Sequence, residues 1–571
     1  MKRTVSKYIL LIILTFIASI WIYEYIEKSK PIETENDILV YQKEIENNRL
    51  SDTNYTIENP NIILNPYGNS PLTALVVFQT KDLTPVTVTI KGKDNGSDIS
   101  HTFVPNKVHI LPIYGLYPDY DNKVIIEASG IKKEITIKTE KLPDDFAIVT
   151  NTDNIDLDGE DLYFTTPEDK GYTAAYDKNG EVRWYLKGDY KWDIQRLNNG
   201  HILIGNEKLV RQPYYSIGLV EMDLLGKVYY EYNIPNGYHH SMVEFSNGNL
   251  LLSTNNANDE TKEDYIVEVD RATGNIIKDI DLNKILGGKN KGNWFKISSL
   301  AYDSETNSLT ISGYNSNMII NIDYSSLEIN WIITDKKLNK NLEKYKLKGD
   351  FYPNKPESVV LISSSQFVFT SLDGDIRKLV EYKVNKTDKT FEVLNKIDLL
   401  NNENAYVEPI DDGYLVTQGN YIYEVNNGNN STMTLNSNLY NSKRMPLYAN
   451  DMFTGVQGNR FGVLGVTPTT NNHLLLSAKE DSSIIKKYNL SFHKDVYGLK
   501  FTGEFNKNDD VQLILDNVLS KKTYDIKLPD SDKKIVKTSE YITEDGLKGK
   551  YYIYIRINGK IYKLNKYALF Y

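Results

Sequence analysis

Seven histidines occur in 571 residues, and two are adjacent: His239 and His240, in "NGYHHSMVEFSNGNLLLS" between Asn236 and Ser253. Imidazole titrates nearer neutrality than any other side chain, so a pair at the head of a strand–turn–strand segment suits acid/base or nucleophilic work. His240 is the stronger acid/base candidate and His239 stands beside it. His101, His109, His201, His473 and His493 fall singly in strand starts, hairpin turns or the terminal modules, where an isolated histidine is ordinarily structural. "DNIDLDGEDLYFT", Asp153 to Thr165, alternates acidic and amide side chains before Gly159. A calcium loop needs glutamate at its twelfth position, and Thr165 stands there, so the stretch reads as an acidic turn. With no cysteine there are no thiolate metal sites, disulfides or cysteine nucleophiles. Nor is there an H-E-x-x-H, a G-x-S-x-G or a G-x-x-x-x-G-K-[ST]; "ILGGKNKG" at Ile285 to Gly292 is only a glycine–lysine loop. No metal and no cofactor are expected.

The elements that must position the histidine pair are strands. Forty-three tyrosines, 40% hydrophobic and 25% charged residues describe a globular chain rich in aromatic strand formers. Lys and Arg total 66 against 76 for Asp and Glu, a net charge of −10 that offers no general attraction to nucleic acid. Two hairpin types alternate along the chain. One turns on an aspartate: "TAAYDKNGEVRWYL" from Thr173, "LVEMDLLGKVYYEY" from Leu219, "IVEVDRATGNIIKDI" from Ile266 and "IINIDYSSLEINWII" from Ile319. The other falls between them: "IQRLNNGHILIGN" from Ile194, "MVEFSNGNLLLST" from Met242 and "LAYDSETNSLTISG" from Leu300, with weaker copies from Val407 and Gly465. Four strands in roughly 45 to 60 residues is the period of a propeller blade, and the stretch from Thr173 to about Ala478 allows six.

Before the repeats, strand-like runs at Leu72–Thr80, Val86–Gly92, Val108–Leu116, Lys123–Ser129 and Lys133–Thr139 predict a small β-sandwich-like domain. At the N-terminus Lys2, Arg3 and Lys7 precede the apolar run Tyr8–Tyr23, which reads as a signal-anchor with the N-terminus inside and the rest on the extracytoplasmic side; secretion after signal cleavage is the alternative. The expected organisation is an all-β chain: anchor 1–30, polar stalk 31–58, β-sandwich domain 59–142, and a six-bladed β-propeller over 143–571 sealed by C-terminal strands.

"NPYGNSPLTALV" (Asn65–Val76), "ILPIYGLYPDYDNKV" (Ile110–Val124), "EMDLLGKVYYEYNIPNGYHHSMVEFSNGNLLL" (Glu221–Leu252) and "NWFKISSLAYDSETNSLTISGYNSNMIINID" (Asn293–Asp323) together resemble the bacterial arylsulfate sulfotransferases. The resemblance implies a six-bladed propeller that moves a sulfuryl group from a phenyl sulfate to a phenol without a nucleotide donor. It implies further that an axial histidine takes the group covalently, while other histidines and an arginine hold sulfate and shuttle the phenolic proton. His239 and His240 match the family's double histidine. The family's second histidine follows Trp-Phe, where this chain has Lys296; its arginine follows Ser-Gly, where this chain has Tyr314; its nucleophile belongs to a Gln-His pair, where this chain has Asn354 and Lys355. Lysine amines are ordinarily protonated near neutrality, and a sulfated amine leaves poorly, so attack by Lys355 would trap the protein. Lys296, Tyr314, Asn354 and Lys355 are therefore expected to bind an anion, in a pocket for a small phenolic sulfate or other anionic ligand, with sulfuryl transfer either retained by resemblance or lost.

Overall fold

The computed structural model describes Gln42, most of residues 54–448, Thr469–Thr470 and most of residues 481–570. Strands dominate; the helices among the described residues are short turns at Leu282–Ile285, Lys340–Glu343 and Ser483–Lys487. Contacts divide the chain into one compact unit spanning residues 36–478 with 518–523, and another containing residues 479–517 and 524–571.

The larger unit begins with a five-stranded antiparallel sheet. Its centre is Ala74–Ile90, which pairs with Ile99–Ile113 along its length, with Asn61–Leu64 at one end and with Asp121–Ala128 at the other. The two apolar runs at Leu72–Thr80 and Val86–Gly92 are thus halves of one strand, joined where the register slips between Gln79 and Val86. Such a slip kinks the strand and lets each half face a different neighbour. Ile131–Lys138 completes the sheet and, like Asp121–Ala128, alternates buried and exposed side chains toward one core.

The hairpins read from sequence then appear in order. Ala174–Tyr176 with Val182–Tyr185, Tyr215–Met222 with Val228–Glu244, Tyr265–Val269 with Ile276–Asp281, and Met318–Asp323 with Ile329–Ile333 are the aspartate-turn pairs. The aspartate recurs for a physical reason: its carboxylate accepts backbone N–H groups that the turn leaves open. Asp177 takes Asn179 and Glu181 at 3.0 Å, Asp223 takes Lys227 at 3.0 Å, and Asp323 takes Ser326 at 2.7 Å. A sheet the hairpin patterns did not mark lies at Glu357–Ser363, Gln366–Asp373, Ile376–Asn385 and Thr390–Asp398, followed by Ala405–Ile410, Gly413–Gln418, Tyr421–Asn426 and Thr432–Leu435.

Two pairings join distant parts of the chain. Val149–Asp153 adds to Thr432–Leu435, and Leu439–Pro446 adds to Asp161–Pro167. The leading strands Lys191–Arg196, Val228–Glu244, Ile297–Asp303, Glu357–Ser363, Ala405–Ile410 and Leu439–Pro446 each touch the next in this order, and the last touches the first. The strand that completes the first sheet is therefore Leu439–Pro446, not the C-terminal stretch expected to do so. That stretch forms its own sheets, one of Ser491–Asp495, Gly498–Asn506 and Ile535–Ile542, another including Val511–Asp516, Gly549–Ile557 and Lys560–Phe570, around a core with Phe501, Leu513 and Ile555. The weak hairpin copy from Gly465 lies almost wholly outside the described residues. So does the segment expected to anchor the chain; among the described residues no helix is long and apolar enough to cross a membrane, and the anchor gains no support.

The N-terminal sheet is fastened to the sheets that follow by two loops. Asn69 accepts the amide of Lys187 at 2.8 Å, and Ser70 donates to the carbonyl of Leu224, as does Trp184. Gly226, at φ +84°, is required here, because a Cβ would lie 1.8 Å from Asn69 Oδ1. Arg183, 1% exposed, reaches back to Gly115 O at 2.8 Å, the Tyr117 hydroxyl at 3.0 Å and Asp177 at 3.0 Å, with its guanidinium 3.9 Å from the Tyr117 ring centre. Removing one member of such a buried pair strands the other charge. Arg183→Met is expected to lower stability by about 3–5 kcal/mol in urea denaturation, and adding Asp177→Asn to recover part of that loss.

Candidate functional site

The leading strands do more than pair. Together with the residues just ahead of them they bring six side chains to one cavity of about 430 Å³: Trp192, His240, Lys296, Glu357, Tyr406 and Tyr440, with Glu168, Glu403 and Asn404 from neighbouring loops. The volume suits a small organic ligand. The backbone bends to present them. Trp192, His240, Lys296 and Ser358 all have φ between +54° and +68°, and the strand register shifts at the same places. Bulges of this kind re-aim side chains at the end of a strand, and the left-handed backbone of a bulky residue is held there only by the surrounding sheet.

His239 and His240 are both buried. His239 Nε2 lies 3.0 Å from the carbonyl of Thr254, which can only accept, so this nitrogen carries a proton. In the neutral ring its Nδ1 is then an acceptor, and it stands 3.1 Å from Nδ1 of His240. The loop is pinned by Ser253, whose hydroxyl donates to the carbonyls of His239 and Ser241 and accepts from Ser241 N–H, and by Thr254, which donates to Gly237 O at 2.6 Å. The His240 ring packs against Trp192 at 4.6 Å, and Tyr440 donates to the His240 carbonyl at 3.2 Å. Burial holds both imidazoles below their usual range, His240 to about 3, with Glu263 opposing and Lys296 reinforcing the shift. Both are neutral at physiological pH.

Lys296, Tyr314 and Lys355 converge. The Lys296 ammonium lies 4.4 Å and that of Lys355 5.8 Å from the Tyr314 ring centre. The Tyr314 hydroxyl donates to Asn404 Oδ1 at 3.2 Å. Lys296 shares the cavity wall with His240, whereas Lys355 is exposed. Asn354 is tied by its backbone to Ser371 and Leu372 and does not line the cavity.

Sequence reasoning missed several groups. Arg377, 1% exposed, donates to the carbonyls of Lys355 and Glu403 and to Asn404 Oδ1, and pairs with Glu357 at 3.4 Å. Glu263, buried, completes a group in which His239, His240 and Glu263 each offer a ligand atom within 4.8 Å of the others. Glu168, Glu357 and Glu403 put carboxyl groups on a cavity expected to be positive. Burial raises the Glu357 carboxyl to about 7 although Arg377 opposes it. The offset from the start of a leading strand was the available signal for four of these positions, since Trp192, Glu357, Tyr406 and Tyr440 each stand first or second in their strands.

Residues 132–372 match the family described as Arylsulfotransferase (ASST), and residues 61–142 match the Arylsulfotransferase Ig-like domain. The chain belongs to the arylsulfotransferase family. Its N-terminal five-stranded sheet is the family's Ig-like domain, and four of the six leading strands around the cavity begin within the ASST match, those of Tyr406 and Tyr440 beyond it. Among curated relatives, the arylsulfate sulfotransferase AssT of Escherichia coli O6:H1 is 27% identical over 295 residues, covering 40% of this chain and 49% of that protein. AssT of Lelliottia amnigena is 25% identical over 292 residues, covering 39% and 49%. This arylsulfotransferase-family chain spans about half the length of the curated relatives it matches.

A raised Glu357 pKa has a calculable sign. Because the folded value, about 7, exceeds the ordinary 4.5, the folded state favours the protonated form; the stability this contributes is complete below pH 4.5 and is lost as pH rises through 7. Glu357→Gln removes that dependence. The stability of the unaltered protein relative to Glu357→Gln is expected to fall by on the order of 3 kcal/mol between pH 5 and pH 8.5, read from thermal unfolding across that range.

Proposed function

We propose that this chain is a six-bladed β-propeller of the arylsulfotransferase family whose axial cavity binds an aryl sulfate ester or a related phenolic anion, without the histidine-based ping-pong transfer. The cyclic order of the leading strands supports the propeller, with Leu439–Pro446 completing the blade of Asp161–Tyr185. One observation carries the ligand: Lys296 and His240 share a cavity with the rings of Trp192, Tyr406 and Tyr440. An aromatic ring fits against those three side chains, and an anionic end fits beside the Lys296 ammonium. Tyr406 and Tyr440 are themselves packed at 4.4 Å, so the aromatic wall is preformed.

The case against transfer is chemical. Of the family's catalytic positions matched here, only that of the histidine pair holds imidazole, and the others hold Lys296, Tyr314 and Lys355. An imidazole both attacks and leaves near neutral pH, whereas an amine that takes a sulfuryl group keeps it. The carboxyl groups of Glu168 and Glu403 on the same cavity would repel a second anion, favouring a ligand with a single anionic end. Calorimetric titration with 4-nitrophenyl sulfate is expected to show saturable binding, weakened about tenfold, or ~1.4 kcal/mol, by Lys296→Met. In the presence of phenol, nitrophenol release should not exceed the buffer rate. Histidine-dependent release would overturn the loss of transfer, and binding indifferent to Lys296→Met would overturn the placement of the anion.

A further inference from the structure

We propose that His239, His240 and Glu263 form a site for one divalent metal ion of the zinc class, opening toward the cavity beside His240. The site does not depend on the ligand reading above. Two imidazoles and one carboxylate are a donor set that zinc takes readily, and the three ligand atoms lie within 4.8 Å of one another in buried positions.

A second observation points the same way. The His239 Nε2–H is directed at the Thr254 carbonyl, 3.0 Å away, which turns the Nδ1 lone pair toward His240 and Glu263. Metal-bound histidines are oriented in this manner, the far nitrogen donating to a carbonyl so that the near one is fixed as a ligand. The Nδ1 atoms of His239 and His240 are 3.1 Å apart. Two nitrogens bound to one tetrahedral zinc at about 2.0–2.1 Å are separated by roughly 3.3 Å, so only a small adjustment separates the two arrangements.

The frame around the donors is rigid. Ser253 and Thr254 bind the histidine loop, and Leu300 N–H donates to Ser241 Oγ at 3.0 Å. Glu263 has φ +54°, a conformation held by its N–H on Asn255 Oδ1 at 2.7 Å and by Ile297 N–H on its carbonyl at 2.8 Å. A carboxylate residue forced into left-handed backbone between two anchored neighbours places its side chain at a cost that a functional site can justify. Three protein ligands leave a fourth position for an exogenous group. His240 and Lys296 both line the cavity, so an oxygen anion arriving there would meet the metal and the ammonium together.

The full chain, treated with chelator and transferred to metal-free buffer, is to be titrated with zinc chloride and its retained metal measured after gel filtration. One equivalent is expected. Glu263→Gln should weaken retention at least tenfold, while His201→Gln, which removes the imidazole paired with Glu221, should leave it unchanged. Cobalt(II) reads the site without any substitution: a tetrahedral visible spectrum displaced by one equivalent of zinc supports it. A spectrum of hydrated cobalt only, or a folded Glu263→Gln variant that retains zinc as the unaltered chain does, would overturn it.

Discussion

The pairing of Leu439–Pro446 with Asp161–Pro167 is the constraint on which the larger unit depends. It joins strands about 280 residues apart, as the Arg444 Nε to Asp161 Oδ2 bond at 3.0 Å shows directly. Bringing such distant segments together costs loop-closure entropy that local hairpins avoid, although the cost grows only slowly with length. The return comes from what the pairing makes contiguous. Tyr448, just beyond this strand, donates to Pro112 O and accepts from Tyr114 N–H, tying the Ig-like domain to the same closure. Pro167, Glu168 and Tyr440 then line the same cavity as residues whose strands formed locally. Local pairing builds each sheet, and long-range pairing builds the site.

That division explains what could be read from sequence. The aspartate-turn hairpins were legible because each is specified within some fifteen residues by a carboxylate that satisfies its own turn. Two of the stretches that mark the family, around Asn65–Val76 and Ile110–Val124, prove to hold the loops that fasten the Ig-like domain, where Asn69 meets Lys187, Ser70 meets Leu224, and Gly115 and Tyr117 meet Arg183. The sheet from Glu357 to Asp398 was harder to mark. Thr390–Asp398 is mostly exposed and Glu357–Ser363 lacks strict alternation, so neither shows the period-two pattern of a half-buried strand. The C-terminal hairpins were legible as hairpins, but nothing local says which core a hairpin joins, and theirs is their own.

The site was legible by residue type and not by environment. His239 and His240 stand out in any chain with so few histidines, and matching them to a family brought Lys296, Tyr314 and Lys355 with them. Those three do meet, around the Tyr314 ring. Counting cations along aligned positions could not reveal Glu168, Glu357 and Glu403, which come from other strands and loops, nor Arg377, which is absorbed by Glu357, Asn404 and two carbonyls. A buried arginine so engaged orders the wall and contributes little free charge to a ligand.

The charge balance of the cavity therefore turns on very few groups. Burial keeps the His240 imidazole neutral, so it offers a ligand atom or a hydrogen bond but no positive charge. Glu357, raised to about 7, is about half protonated near neutrality, which reduces its negative charge and leaves Glu168 and Glu403 on the cavity with the Lys296 ammonium. An anion entering such a cavity meets one cation and two carboxylates, and Coulomb attraction alone would not hold it. Either the aromatic wall supplies most of the binding, with Lys296 orienting the charged end, or a further cation joins Lys296. The geometry of His239, His240 and Glu263 offers a place for that cation immediately beside it, and the same two imidazoles that would be poor anion binders when neutral are suited, for that reason, to be its ligands.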